Sequence, residues 1–390
     1  MHRETATWHP RDIAELRRAL DAAPMNWTRR LAVGLTVLIS ALDGYDVLAM
    51  TLAAPAIAGE WQVGKTALGA ALASGLAGMA AGSLLIAPLA DQVGRRAIVL
   101  VALSLMLAGT AGSGFSGSLS TLVLCRLVTG LGIGACMAVI NTLAAEYANA
   151  RWRPLAVATM AVGYPVGSMV GGLVAATLIP IFGWRAIFLC GAAAATVMLP
   201  LVALWLPESV LSLAASRRTD RVMRLNMLLA RFGLPKIVAI SRPTAHRGYR
   251  HIFAARQRAG TARMAVVSFL IALPIYFGLT WIPQILIESG FSQEMVGLFS
   301  ILSGACGIAG GLVVGWLASK FRPTRTVSAT MVALGVAFAL LGIAPARPMA
   351  MMAVIPMIGL CLFGSAAGLY AALAAHVRRQ HQWHRFEVVI

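Results

Sequence analysis

The hydrophobic positions of this chain fall in long uninterrupted runs, with neither the alternation of exposed strands nor the narrow stripe of a surface helix. An apolar helix of about 20 residues spans the hydrocarbon layer of a bilayer, which is about 30 Å thick. The pattern therefore predicts an all-α polytopic membrane protein with about ten spans. Their predicted bounds are 31–54, 66–89, 97–115, 119–145, 155–182, 186–206, 264–287, 296–318, 327–344 and 349–372.

Composition supports a membrane protein and charge sets its orientation. The 390 residues are 59% hydrophobic and only 12% charged, with a mean hydropathy of +0.80. The net charge of +18 could indicate a nucleic-acid partner, but the arginines lie in short loops between apolar runs. One set of alternate loops and termini carries 28 Lys and Arg residues and the other carries 3. Positive residues stay inside, so we expect both termini in the cytoplasm, no nucleic-acid partner, and insertion in the plasma (bacterial inner) membrane.

The loops also suggest an internal repeat. Between the second and third runs the chain reads APLADQVGRR, and between the eighth and ninth it reads GWLASKFRPTR. Repeated units are typical of secondary transporters. The predicted organisation is a cytoplasmic arm (1–30), a six-span half (31–206), a basic cytoplasmic linker (207–263), a four-span half (264–372) and an atypical cytoplasmic tail (373–390).

Two carboxylates, Asp43 and Asp46, lie in the middle of the first run. Each costs about 2.5–3.5 kcal/mol at the centre of a spanning helix. At a spacing of three they share a helical face, and Gly44 between them allows a close neighbour. Two interpretations stay open: a pair held structurally by a partner cation, or a proton or substrate site facing a central cavity.

Arg126 is the basic residue within an apolar run. A rise of 1.5 Å per residue places Asp43, Asp46 and Arg126 at about 18, 22 and 20 Å from the inner edge. One aspartate could remain ionised against Arg126 while the other exchanges a proton. The alternative is an arginine that extends to the outer surface.

Enzymatic signatures are absent from the sequence. There is no Walker phosphate loop, no Ser–His–Asp arrangement and no cluster with metal-ligand spacing. We therefore expect no enzyme, no catalytic residues, no metal and no cofactor.

Several motifs resemble those of the major facilitator superfamily. The loop signature Gly-x-Leu-Ala-Asp-Arg-x-Gly-Arg-Arg matches the repeat region ending in Asp91-Gln-Val-Gly94-Arg95-Arg96, with Ala87 and Gln92 as departures. Further matches are Arg126-Leu-Val-Thr-Gly130-Leu-Gly132-Ile-Gly134, the glycine-rich stretch 163–172 and Leu206-Pro-Glu-Ser209. Asp43-Gly44-Tyr45-Asp46, Glu60-Trp61 and Gly183-Trp184-Arg185 resemble the aromatic acid:proton symporter branch.

The resemblance implies an inverted-repeat helical bundle that imports a benzoate-like or hydroxybenzoate-like anion with protons, working as a monomer. A transporter of another organic anion stays an alternative. The coupling residues would be Asp43, Asp46 and Arg126. Glu146 has either a coupling role or a surface or latch role. An aromatic, hydrogen-bonding cavity has six candidate residues, and for each of them a place in the core or in the aromatic belt at the membrane interface is the alternative. They are Tyr45, Asn141, Tyr164, Tyr276, Trp281 and Gln284.

The loop with Asp91, Gly94, Arg95 and Arg96 acts in the family as a conformational latch. Gly94 permits the turn, and Asp91 can cap a helix N-terminus or pair with an arginine. Small residues let helices pack closely, which favours plain packing over direct gating for these glycines: Gly130, Gly134, Gly163, Gly167, Gly171 and Gly172.

Family members have twelve spans and this chain has ten predicted ones. The ending HVRRQHQWHRFEVVI resembles neither a span nor a usual loop, and we expect a truncated or out-of-frame product. A non-transporting membrane remnant is therefore the second hypothesis. A ten-span chain is expected to insert but not to accumulate substrate unaided.

Overall fold

The computed structural model describes residues 13–216, 219–240, 258–321, 323–343 and 347–386. Parts of the predicted arm (1–12), linker (217–218 and 241–257) and tail (387–390) lie outside the described residues.

The described residues contain ten helices long and apolar enough to cross a membrane, which confirms the predicted all-α polytopic fold. In the first half these are α2 (Trp27–Trp61), α3 with its continuation (Lys65–Val93), α5 (Arg95–Gly114), α6 (Leu119–Tyr147), α7 (Arg153–Phe182) and α8 (Arg185–Trp205). The others are α11 (Arg258–Glu288), α12 (Gln293–Lys320), α13 (Pro323–Ile343) and α14 (Pro348–Phe386).

Nine of the ten candidate spanning helices are longer than the apolar runs that predicted them, and α8 has the same length as its run. Helix α2 begins at Trp27 because the Asn26 side chain accepts a hydrogen bond from the Arg29 N–H. It ends at Trp61, before the C-cap residue Gln62, whose φ is 52°. Helix α14 continues to Phe386, past the predicted span end at 372. An apolar run marks where a helix can face lipid, whereas capping decides where the helix ends.

The second span changes its winding near its end. Helix α3 is regular from Lys65 to Ala81. A π-helical turn (Gly82–Ile86) and a 3-10 turn (Ala87–Leu89) follow, and then the short α4 (Ala90–Val93). Proline at position 88 cannot donate a helical hydrogen bond, which fits the change of winding there.

Three further helices in the described part of the chain are not candidate spans. They are α1 (Ile13–Ala22), α9 (Val210–Ala215) and α10 (Arg221–Arg231). Helix α10 is amphipathic: Leu225, Leu228 and Leu229 are buried, while Met223 and Met227 are exposed. Helix α1 packs against α9.

The chain forms two compact units. The first comprises Met1–Asp46, Ala56–Tyr164 and Phe182–His246, and the second comprises Val47–Pro55, Pro165–Ile181 and Arg247–Ile390. In the first unit α6 packs against α3 and α5, and α5 also packs against α8. In the second unit α14 packs against α11, α12 and α13.

Candidate functional site

Asp46 is held on both of its carboxylate oxygens inside the first unit. Its Oδ2 accepts a hydrogen bond from Arg126 Nη2 at 2.5 Å. Its Oδ1 accepts one from the Thr110 hydroxyl at 2.9 Å. Asp46 is 4% exposed and Arg126 is 3% exposed. The ion pair is therefore shielded from water and joins α2 to α6, and the Thr110 hydrogen bond attaches α5 to the same carboxylate.

Asp43, one turn earlier on α2, differs sharply from Asp46. It is 2% exposed, and neither of its oxygens has a hydrogen-bond partner among the described residues. Arg126 Nη1 is likewise buried without a partner in the described part of the chain. Burying an isolated ionised carboxylate is costly. Among the described residues, nothing therefore stabilises an ionised Asp43 by a hydrogen bond, and the Arg126 Nη1 group is an unused hydrogen-bond donor. We call Asp43, Asp46 and Arg126 the buried charge site.

A buried aromatic residue, Phe188 on α8, completes the surroundings of Arg126. The Arg126 Cζ atom lies 5.5 Å from the centroid of the Phe188 ring, a cation–π distance. The guanidinium therefore contacts Asp46 and Phe188 and does not extend to an exposed surface. Sequence reasoning missed Phe188, because one Phe in an apolar run looks like any core residue.

The motif residues at the far end of α2 and the start of α8 form a second cluster. Trp184 Nε1 donates to Glu60 at 2.7 Å, and Arg185 pairs with Glu60 at 2.8 Å. The Arg185 guanidinium also lies over the Trp184 ring. Trp184 contacts Phe188 edge to face, with centroids 5.9 Å apart. This cluster is therefore connected through Phe188 to Arg126.

Three of the candidate cavity residues belong to the first unit. The Tyr45 hydroxyl donates to the Ile187 carbonyl at 2.7 Å, so it holds α2 against α8. Asn141 is half-buried and its amide donates to the Met137 carbonyl at 3.0 Å on its own helix. Tyr164 is half-buried, and its carbonyl lies directly against Gly44.

The other three cavity candidates belong to the second unit, on α11. Tyr276 and Trp281 are half-buried. Gln284 is 7% exposed, and its Nε2 donates to Glu288 at 3.0 Å. The Gln284 Oε1 atom is buried with no hydrogen-bond partner among the described residues, so it is available to a donor.

The predicted latch loop is held mainly by Glu208, which belongs to the Leu206–Ser209 motif but had no role predicted from the sequence. Gly94 has a φ of 111°, which favours glycine, as expected for the turn. Glu208 Oε1 accepts hydrogen bonds from the backbone N–H groups of Arg95 at 3.0 Å and Arg96 at 3.1 Å. Glu208 thus caps the start of α5. Asp91 is exposed and has neither a capping bond nor an ion pair within the described residues, so the two roles expected for it are not seen.

Glu146 lies in the same cluster. It forms an ion pair with Arg95 and accepts a hydrogen bond from the Ser209 hydroxyl at 2.5 Å. Arg96 donates to the Ala203 carbonyl. We call Arg95, Arg96, Glu146, Glu208 and Ser209 the loop cluster; these contacts favour a latch role for Glu146.

Four of the six predicted small residues stand at close helix contacts. A Cβ on Gly130 would overlap the Gly75 carbonyl, and one on Gly134 would overlap Met79, both on α3. Gly163 lies against the backbone of Val37. In the second unit Gly172 lies against Gly297. The remaining two, Gly167 and Gly171, are buried.

These observations describe a polytopic helical protein with charges paired inside its spans, which is the architecture of a membrane transporter. The sequence profile of the Major Facilitator Superfamily matches residues 35–382. The chain belongs to that superfamily and is a transporter, not an enzyme.

Named relatives and solved structures agree with this assignment. The chain is 31% identical to a 4-hydroxybenzoate transporter, PcaK, of Acinetobacter baylyi over 86% of this chain and 77% of that protein. It is 31% identical to a gallate transporter of Pseudomonas putida, covering 90% of this chain and 79% of the relative. The xylose transporter XylE from E. coli, in a partially occluded inward-open conformation, matches with a TM-score of 0.68 at 17% identity, covering 90% of this chain and 85% of XylE. The XylE match concerns the fold alone.

Proposed function

We propose that this protein imports a small aromatic carboxylate together with protons, across the plasma (bacterial inner) membrane. The observation that carries the proposal is the difference between the two aspartates: Asp46 is paired with Arg126, whereas Asp43 has no hydrogen-bond partner among the described residues. The printed names of relatives, which transport 4-hydroxybenzoate and gallate, support the substrate class.

The charges of the site give a physical reason for coupling. With both aspartates ionised and Arg126 protonated, the three groups carry a net charge of −1. Adding a carboxylate anion alone would concentrate further negative charge in a medium of low dielectric constant, which is costly. A proton on Asp43 offsets that added charge. Proton and anion entering together leave the net charge of the site unchanged, so each favours the binding of the other.

Arg126 is the proposed binding group for the substrate carboxylate. Its Nη2 is engaged by Asp46, while Nη1 is buried without a partner in the described residues. The planar guanidinium can bind a second carboxylate through that free edge. Phe188, already against the guanidinium, would then lie beside an aromatic ring bound there.

The proposal includes the topology predicted from the loops. Both termini are cytoplasmic, and a basic cytoplasmic linker joins a six-span half to a half containing the last four spans. In secondary transporters such repeats give access alternately from the two sides. The protein is proposed to work as a monomer.

The test is uptake of radiolabelled 4-hydroxybenzoate into vesicles containing the purified protein, with an imposed inward proton gradient. Accumulation above the external concentration, lost when a protonophore is added, would support the proposal and would contradict the expectation that the ten spans do not accumulate substrate unaided. Saturable uptake that does not depend on the proton gradient would contradict proton coupling and would indicate an aromatic acid carrier that works without it. Unlabelled gallate, nicotinate and benzoate are each added as competitors of labelled 4-hydroxybenzoate uptake, and the degree of inhibition ranks them as substrates.

A further inference from the structure

A pocket lies at the edge of the first unit, away from the buried charge site. It has a volume of about 280 Å³ and is walled by the loop around Asp91–Gly94, the end of α8 and its following turn, α9 and α10. This volume is near the lower limit for pockets that bind small ligands. Its walls combine arginines and apolar side chains.

Two residues in the wall place the pocket at a membrane boundary. Val93 is the last residue of the second spanning helix, and Leu204 is the next-to-last residue of α8. Both are exposed, by 59% and 71%. Trp205, the last residue of α8, is also exposed, and tryptophan is enriched where a membrane meets water. The pocket is thus continuous with the apolar ends of two spans.

The opposite wall is basic and comes from α10. Arg224 and Arg231 line the pocket together with Met227, and Arg224 also pairs with Asp220 at 2.5 Å. The Arg231 side chain has no ion pair among the described residues. A basic amphipathic helix at a membrane surface attracts anionic lipid headgroups.

Arg96 adds a third cation to the wall. Its guanidinium donates to the Ala203 carbonyl, while its Nε is buried without a partner in the described part of the chain. The two acidic residues of the wall are Asp91 and Glu208. Glu208 Oε1 already accepts from three backbone N–H groups, which offsets its charge.

We propose that this pocket binds the phosphate headgroup of an anionic phospholipid, with the phosphate against Arg224 and Arg231 and an acyl chain over Leu204 and Val93. Both chemical halves of such a lipid meet matching surfaces in one place. A soluble anion would use the arginines alone and leave the exposed apolar wall without a function. A bound lipid would tie α10 to the loop at the start of α5. The site is independent of the proposed aromatic substrate.

The experiment measures the melting temperature of the full-length protein in a neutral detergent. The probes are short-chain phosphatidylglycerol, short-chain phosphatidylcholine and inorganic phosphate. A ligand that binds only the folded state raises the melting temperature with its concentration. We expect phosphatidylglycerol to raise it, while phosphatidylcholine and phosphate do not. Equal shifts with both lipids would overturn the proposal. So would a phosphate-induced shift that removes the response to phosphatidylglycerol, because the site would then bind soluble anions.

Variants of the pocket residues test whether the phosphatidylglycerol-induced rise in melting temperature comes from binding in this pocket. In the double variant Arg224→Gln with Arg231→Gln, the phosphatidylglycerol concentration needed for half of the shift should rise about thirtyfold, since each basic residue at an anionic surface contributes about fivefold. Arg151→Gln is the matched control, because Arg151 is exposed and does not line the pocket; it should respond as the unmodified protein does. An unchanged response in the double variant would overturn the proposal.

A filling variant covers the case in which the double variant fails to fold. Met227 is 57% exposed and lines the pocket, so Met227→Trp adds volume there without changing the charge. It should fold and lose the response to phosphatidylglycerol, and a full response would count against lipid binding in this pocket. Uptake of the aromatic acid, measured in parallel, separates failure of this proposal from failure of the transport proposal.

Discussion

The buried charge site and the loop cluster each combine arginine with two carboxylates, but the hydrogen bonding of those carboxylates differs between the two sites. In the loop cluster, Glu208 accepts from three backbone N–H groups and Glu146 contacts both Arg95 and Ser209. In the buried charge site, Asp46 is equally satisfied, whereas Asp43 has no hydrogen-bond partner among the described residues.

The two sites also differ in the free-energy cost of leaving a carboxylate without a hydrogen-bond partner. An unsatisfied buried carboxylate costs more than one near an exposed loop, where water can hydrate it. The unpartnered group is nevertheless the one within a span, where the penalty is greatest. This difference fits a structural role for the loop cluster and is consistent with the proposed exchange of a proton and an anion at the buried charge site. The variants below test that division.

The largest expected effect comes from breaking the buried ion pair. Asp46→Asn leaves Arg126 charged, buried and without its anion, which should cost about 3–5 kcal/mol of stability. Thermal melting of the purified protein measures the loss, and proton-driven uptake should vanish. The double variant Asp46→Asn with Arg126→Ala should melt higher than either single variant but still fail to transport. A single Asp46→Asn protein as stable as the unmodified one would show that the pair does not hold the site.

Asp43→Asn should separate transport from stability. Because Asp43 makes no hydrogen bond within the described residues, its replacement should change stability by no more than about 1 kcal/mol. Concentrative uptake should fall to the level of protein-free vesicles, because the proton-accepting group is gone. Exchange of external for internal labelled acid should persist. Protonophore-sensitive accumulation in this variant would remove the distinction between the two aspartates.

The close approach at Gly44 tests whether packing positions the two aspartates. A Cβ at Gly44 would overlap the Tyr164 carbonyl, which is backbone and cannot rotate away. Gly44→Ala should therefore destabilise by about 1–3 kcal/mol and reduce uptake. Gly34→Ala on the same helix is the matched control, since nothing lies within 4 Å of a Cβ there, and it should be neutral or stabilising by up to about 1 kcal/mol. Similar melting temperatures for the two variants would contradict this.

The smallest effect on transport is expected in the loop cluster. Glu208→Ala removes the cap of α5 and should cost about 0.5–2 kcal/mol, with faster hydrogen exchange at the Arg95 and Arg96 amides. Asp91→Asn, in the same loop, should stay within about 0.5 kcal/mol because Asp91 is exposed and lacks a capping bond. A larger stability loss in Asp91→Asn than in Glu208→Ala would indicate that Asp91, and not Glu208, caps α5.

The sequence by itself determined the class of fold and the positions of the unusual charges. Ten apolar runs of sufficient length predict ten spanning helices, because the bilayer sets that length. Helical spacing places Asp43 and Asp46 on one face, and the rise per residue places Arg126 at their level. These are local properties that follow from the chain's own geometry.

Only the tertiary structure decided which hydrogen-bond and ion-pair partners the charged side chains have. The spacing treats Asp43 and Asp46 alike, but packing of α2 against α5 and α6 brings Thr110 and Arg126 to Asp46 alone. In the same way, the cap at the start of α5 comes from Glu208, which lies more than a hundred residues along the chain from Arg95. From the sequence alone, Asp91 could have formed that cap. Partner choice depends on where distant helices place their side chains to within about an ångström, since hydrogen bonds weaken steeply with distance and angle, and no local pattern encodes that.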